Sequence, residues 1–140
     1  MLVIDATNAI LGRLASYVAK RLLEGEEVVI INAEKAIITG DPQMVTQRYL
    51  EKRSRGSPHH GPFYPKRPDL IVRRAIRGML PRKKAKGRQA FKRLRVYMGK
   101  PINVDESSIL KFASMQKPIE CKYITIYELS RRLGWVDKRV

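Results

Sequence analysis

The sequence predicts an α/β fold, and three observations carry that prediction. The chain opens as strand, helix, strand: Leu2-Val3-Ile4-Asp5, a helical repeat from Ile10 to Leu23, then Val28-Val29-Ile30-Ile31. A βαβ unit of this kind implies parallel pairing and a right-handed crossover. Val28 to Ile31 is apolar at every position, as in a mid-sheet strand covered on both faces. Further on, Leu94-Arg95-Val96-Tyr97-Met98 alternates, with Leu94, Val96 and Met98 on one face, which is the periodicity of a strand with one buried face. A length of 140 residues, without internal repeats or a clear boundary, suits a single domain over 1–140.

The elements follow in order. Leu11, Leu14, Ala15, Val18, Ala19 and Leu22 recur at three- and four-residue spacing, while Arg13, Ser16, Lys20, Arg21 and Glu24 take the other face. Asn8 or a neighbour is placed to cap this helix, and Gly25 to end it in a left-handed turn. Ala36 to Thr39 reads as a third strand. Its direction stays open, because Ala33–Lys35 is too short for a parallel crossover. Asp41 and Pro42 start a helix reaching about Lys52, with Met44 and Val45 towards the core. Pro58, Pro62, Pro65 and Pro68, with Gly56 and Gly61, make a connector that excludes helix interior and central strand.

Pro68 and Asp69 open the next helix and Pro81 ends it, with Val72, Ala75, Ile76 and Met79 as the apolar stripe. A loop then leads to a short helix over Gln89 to Arg93. Asn103 to Ala113 shows no period. Thr125 to Glu128 matches a capping box, and Ile126, Leu129 and Leu133 form the stripe of a final helix that Gly134 stops.

Charge is distributed unevenly along this frame. Arg48 to Lys100 holds 18 Lys or Arg against two acids, Glu51 and Asp69, and so carries the whole net charge of +16. A charge confined to one segment is the footprint of a polyanion-binding surface. Within it, Arg73, Arg74 and Arg77 lie opposite the apolar stripe, and an arginine fork can hold phosphate through two donors. Arg82, Lys83, Lys84, Lys86 and Arg88 follow in a loop. These eight are the central candidate polyanion contacts, RNA among them, with Lys66 and Arg67 beside them. Arg48, Lys52, Arg53, Arg55, His59, His60, Lys92, Arg93 and Lys100 complete the segment's candidates. Phe63 and Tyr64 suit either stacking on unpaired bases or pinning the loop to the body.

Other functions find little support. The first strand-to-helix turn, Ala6-Thr7-Asn8-Ala9-Ile10, has neither a P-loop nor a GxGxxG pattern. Two acids in the basic segment are too few for a two-metal site, so no enzyme and no cofactor are expected. His59 and His60 are adjacent and lack a completing set, so no metal site is expected either. Cys121 is the only cysteine, which excludes an internal disulfide; a small buried apolar role is expected for it. The longest plain aliphatic run, Val28 to Ile31, is far short of the ~20 residues that span a bilayer. With no secretory signal in view, a cytoplasmic protein is expected. A free basic regulator of messenger RNA or an anionic membrane is the remaining alternative.

Three blocks then carry a resemblance. Ile76-Arg77-Gly78-Met79-Leu80-Pro81, Gly87-Arg88 and Leu94 to Gly99 form one; Leu11 to Ser16 and Ile31-Asn32-Ala33-Glu34-Lys35 form the others. Together they resemble the large-subunit ribosomal protein family number thirteen, over about residues 2–100 and more loosely to Trp135. The short link from Glu24 to Glu27 and the ending Glu128 to Trp135 look like its archaeal and eukaryotic branch. The resemblance implies a three-layer α/β/α fold around a four-stranded, mainly parallel sheet, with long basic loops and a C-terminal helix. It implies a structural role in the large ribosomal subunit, on 23S-type ribosomal RNA and beside neighbouring ribosomal proteins, with no membrane and no small-molecule substrate. It also adds Arg13 to the candidate RNA contacts.

Overall fold

The computed structural model describes residues 1–55, 59, 64–101, 108–117 and 119–138. Strand β1 (Leu2–Asp5) leads through helix α1 (Leu11–Leu23) to β2 (Val28–Ile31). The two strands pair in parallel, Leu2 opposite Val28 and Asp5 opposite Ile31. β3 (Ile37–Thr39), α2 (Pro42–Ser54), α3 (Pro68–Arg77) and α4 (Ala85–Lys92) follow. β4 (Leu94–Val96), β5 (Ile109–Lys111), β6 (Tyr123–Thr125) and α5 (Ile126–Arg132) complete the order. The main sheet runs β4-β2-β1-β5, with all three pairings parallel. Four parallel strands and five helices fit the three-layer α/β/α class.

The apolar β2 lies inside this sheet, as its composition requires. Ile4, Val28, Ile30 and Leu94 share a core with the buried face of α1 and with Ile71, Val72 and Ile76 of α3. All six predicted stripe residues of α1 are buried. Full burial of an aliphatic side chain is worth roughly 1.5–3 kcal/mol, so this stripe fixes the helix on the sheet. Gly25 ends α1 at φ 100°. Its N–H bonds the Leu22 carbonyl at 3.1 Å and that of Glu26 bonds Arg21 at 3.2 Å, the paired bonds of a Schellman end.

The third strand belongs elsewhere. β3 pairs antiparallel with β6 in a separate two-stranded sheet, so the short Ala33–Lys35 link, a 3₁₀ turn, needs no crossover. Glu34 in that link is buried, and its carboxylate accepts the Gly99 N–H at 3.0 Å. The Asn32 N–H bonds the Gly99 carbonyl at 2.9 Å and that of Ala33 bonds Tyr97 at 3.1 Å. Two of the blocks that carry the resemblance are therefore tied directly to each other.

Several expectations need correcting. Asn8 does not cap α1; it adopts φ 60° in a turn, and the N-cap is Ile10. The capping comes from far along the chain: Gln116 Oε1 accepts the Ile10 N–H at 3.1 Å, and its Nε2 donates to the Asn8 carbonyl at 2.7 Å. Met44 is 66% exposed, and Val45 alone of that pair is buried. Met79 is 46% exposed, because α3 ends at Arg77 and the chain turns so that Leu80 takes the inward place. The helix expected at Gln89 to Arg93 begins earlier, at Ala85. A strand, β5, occupies Ile109–Lys111, where no period was visible. Cys121 is exposed, not buried. The capping box is half formed: Thr125 Oγ1 accepts the Glu128 N–H at 3.1 Å, while the Glu128 carboxylate turns to Arg132 at 2.8 Å.

Candidate nucleic-acid interface

α2 and α3 bring the basic segment together from its two ends. Asp41 caps α2 through its Oδ1, which accepts the Gln43 N–H at 2.9 Å, and Pro42 takes the first turn. That helix delivers Arg48, Lys52, Arg53 and Arg55 towards its C-terminal end, where positive charge suits the helix dipole. Pro68 and Asp69 start α3, whose buried Ile71, Val72 and Ile76 leave Arg73, Arg74 and Arg77 half-buried on its flank.

Aromatic rings hold several of these cations. Arg74 lies 3.9 Å from the Tyr64 ring centroid, and Arg73 lies 4.6 Å from that of Phe91 on α4. Lys52 sits over two rings, 4.9 Å from Tyr49 and 5.6 Å from Tyr64. The Arg53 guanidinium donates to the Tyr64 carbonyl. Tyr64 therefore pins the connector to the body, while Phe63 lies outside the described residues. A cation over a ring face is stabilised by the ring quadrupole, and its N–H donors remain at the guanidinium edge.

A cavity of about 390 Å³ opens between α2, Tyr64 and α3, with Tyr49, Lys52, Tyr64, Arg74, Arg77 and Arg82 among its walls. A second, of about 250 Å³, lies between α3 and α4 and shares Arg74 and Arg77. The cations crowd one another here. The Arg77 guanidinium is held below its ordinary pKa, first by burial and then by Arg82 and Arg74. Burial also pushes the Tyr49 hydroxyl up.

Beyond α3, Arg82, Lys83 and Lys84 are exposed in the turn, and Lys86, Arg88 and Lys92 are exposed on α4. Arg88 Nη1 reaches the Lys83 carbonyl at 3.4 Å. Arg13, Arg48, Arg55, His59, Lys66 and Lys100 are exposed as well. Arg67 is paired with Asp69 at 2.9 Å. Arg93 turns inward, and its Nη2 donates to the Leu22 carbonyl at 2.6 Å, closing the end of α1. His60 lies outside the described residues. Among the described residues no group of His, Cys, Asp and Glu is placed to hold a metal ion. No described helix is long and apolar enough to cross a membrane.

Sequence reasoning missed Tyr49 and Phe91 as the rings under these cations. The three-residue spacing of Tyr49 and Lys52 on one helix was a usable signal. Nothing local links Arg73 to Phe91, which sit on different helices.

The blocks that carry the resemblance are now joined in space, and comparison with known proteins agrees. The model of the ribosomal protein L13 family matches residues 1–103. The chain belongs to the ribosomal protein L13 family. The large ribosomal subunit protein uL13 of Methanopyrus kandleri is 54% identical over 137 residues, which is 95% of this chain and 86% of the relative. That of Methanocaldococcus jannaschii is 53% identical over 140 residues, 96% of this chain and 98% of the relative. The uL13 of Archaeoglobus fulgidus is 51% identical, over 95% of this chain and 87% of its own. These relatives are archaeal, in keeping with the branch the sequence resembles. Membership of the L13 family, a ribosomal structural component, sets the enzyme alternative aside.

Proposed function

We propose that this chain is a structural constituent of the large ribosomal subunit that binds and organises 23S-type ribosomal RNA through its Lys/Arg-rich face. The α/β body is the scaffold. Arg73, Arg74, Arg77, Arg82, Lys83, Lys84, Lys86 and Arg88 are the central contacts, flanked by Arg48, Lys52, Arg55, His59, Lys66, Lys92 and Lys100, with Arg13 as a further contact. Arg53, Arg67 and Arg93 serve this face indirectly, by holding the connector, the start of α3 and the end of α1.

The observation that carries the reading is the half-buried arginine flank of α3, anchored through Ile71, Val72 and Ile76, with Arg73 and Arg74 held over aromatic rings. A rigid base for the cations reduces the entropy lost when they meet phosphates. Each phosphate neutralised releases condensed counterions, which drives association. A-form RNA hides its major groove, so recognition rests on backbone shape, 2′-hydroxyls and splayed bases. RNA segments that repel one another are drawn together, and the phosphates relieve the mutual repulsion of the crowded arginines. The chain acts in the cytoplasm within the ribosome, beside neighbouring large-subunit proteins.

Sedimentation of cell extract tests this reading. The protein is expected to co-migrate with large subunits through a moderate salt wash, and the R73A/R74A/R77A variant to shift towards the light fractions. Recovery of the unaltered protein wholly in the light fractions would support a free regulator instead.

A further inference from the structure

The geometry points to a base-binding subsite inside that interface: the cavity between α2 and α3 takes one unstacked RNA nucleotide. Its base lies against the tyrosine-lined wall and its phosphate meets Arg77 and Arg82. The inference rests on the RNA-binding reading above and names which kind of RNA the site selects.

The walls of the cavity are of two kinds. Lys52, Arg74, Arg77 and Arg82 supply positive charge, and no acid is among the described residues that line it. Tyr49, Tyr64, Ile71 and Met79 supply aromatic and apolar surface. A surface that only tracks phosphates needs the first kind and gains nothing from the second. A nucleotide needs both, because its base is a flat apolar body and its phosphate an anion. The volume of about 390 Å³ falls in the range of about 300–1,000 Å³ of pockets that enclose small ligands.

The arginine cluster adds an independent reason. Burial and the neighbouring Arg74 and Arg82 all disfavour the charged form of Arg77, so the cluster is under repulsion that a bound anion would relieve. Tyr64 carries Arg74 at 3.9 Å and Lys52 at 5.6 Å from its ring centroid, and a planar guanidinium held on a ring is itself a platform for a further flat group. In a duplex, bases are stacked and paired and cannot enter a cavity. A splayed nucleotide can.

The position of Gly78 makes a clean test possible. It lines the cavity, has an ordinary helical φ of −65°, and a Cβ there would meet only the carbonyls of Ala75 at 3.6 Å and Arg74 at 3.7 Å. Gly78→Leu therefore adds bulk at the cavity lining without backbone strain or a change of charge. Fluorescence anisotropy of the full chain would be measured with a short single-stranded RNA oligonucleotide, with a blunt RNA duplex of equal length, and with AMP competing against the single strand. Gly78→Leu is expected to lower single-strand affinity by about 5- to 150-fold, the range for losing one stacked base, while duplex affinity holds. Gly78→Ala is expected to retain both. Tyr64→Leu is expected to lower the single-strand to duplex affinity ratio in the same direction, which keeps the test open should Gly78→Leu unfold. Competition by AMP would mean that the cavity also accepts a free nucleotide, whereas no competition with the same variant effect assigns it to a nucleotide within a strand. An unchanged ratio in folded variants overturns the subsite while leaving the phosphate-led interface intact. No binding of either RNA by the unaltered protein overturns the interface reading, and the subsite with it.

Discussion

Arg88 and Arg93 are alike in sequence and opposite in use. Both sit in the basic segment, yet Arg88 is exposed on α4 while Arg93 is half-buried and donates to the Leu22 carbonyl at 2.6 Å. The Leu22 carbonyl also accepts the Gly25 N–H, so the charged donor adds a second bond to it, worth about 1.5 kcal/mol, the low end for a charged donor. Arg93→Ala is therefore expected to lower the melting temperature by about 5 °C and to leave RNA affinity at low salt unchanged. Thermal melts and binding curves on the same preparation check this; a loss of affinity without a loss of stability would return Arg93 to the interface. Asp5 is a second residue whose role is internal. Burial tends to raise its pKa, but the Thr7 hydroxyl at 2.7 Å, the Thr7 N–H at 3.0 Å, the Asn32 amide at 3.1 Å and nearby Lys35 together hold it below the usual value of 3.8. A carboxyl depressed in the folded state stabilises fully above its unfolded pKa, and that contribution is lost as pH falls through the folded value. The stability gap between the unaltered protein and Asp5→Asn should therefore be constant at neutral pH and close below about pH 4. Urea unfolding at a series of pH values measures it, and a gap that widens in acid would reverse the assignment.

At the scale of elements, α4 shows how close packing sets a sequence. A Cβ on Gly87 would come 2.0 Å from the Pro81 carbonyl oxygen and 2.4 Å from its carbon, contacts that backbone cannot yield cheaply. Ala is favoured over Gly by about 1 kcal/mol in a helix interior, but here the clash outweighs it. Gly87→Ala is expected to destabilise the protein by about 1–3 kcal/mol, read as a fall in the urea midpoint. A stabilised variant would mean that α4 does not lie on Pro81. The same contact explains why the helix start was illegible. Arg82 to Arg88 reads as a charged loop, whereas its second half is helical and lies close against Pro81 at Gly87. Where burial is local, the sequence was transparent: all of the α1 stripe, the mid-sheet β2 and the ends at Gly25 and Gly134 follow from period and turn chemistry. β5 was not transparent, because its three residues on the sheet edge are at most half-buried and leave no alternation to read. The same limit applies to the site. The cations are visible as a charge block, but the rings beneath them, Phe91 above all, come from other elements. The exposure of Cys121 reflects its place just before the edge strand β6, which a general preference for buried cysteine does not encode.

Over the whole molecule, the net charge of +16 resides in one segment, and that segment is woven into the core through Ile71, Val72, Ile76 and Leu94. In the proposed function, folding and RNA binding are carried by different atoms of the same helices. Replacing Arg73, Arg74 and Arg77 together by Ala should weaken binding to large-subunit RNA while circular dichroism retains the helical signal; unfolding would show that the arginines hold the core. The most direct measurement is the affinity of the full chain for large-subunit ribosomal RNA across a range of KCl concentrations. A phosphate-led grip predicts a steep, linear fall of log affinity with log salt, by roughly 0.7–0.9 per phosphate contact. The triple variant should reduce that slope by about two to three contacts. An affinity insensitive to salt, or a slope the variant leaves unchanged, would contradict it.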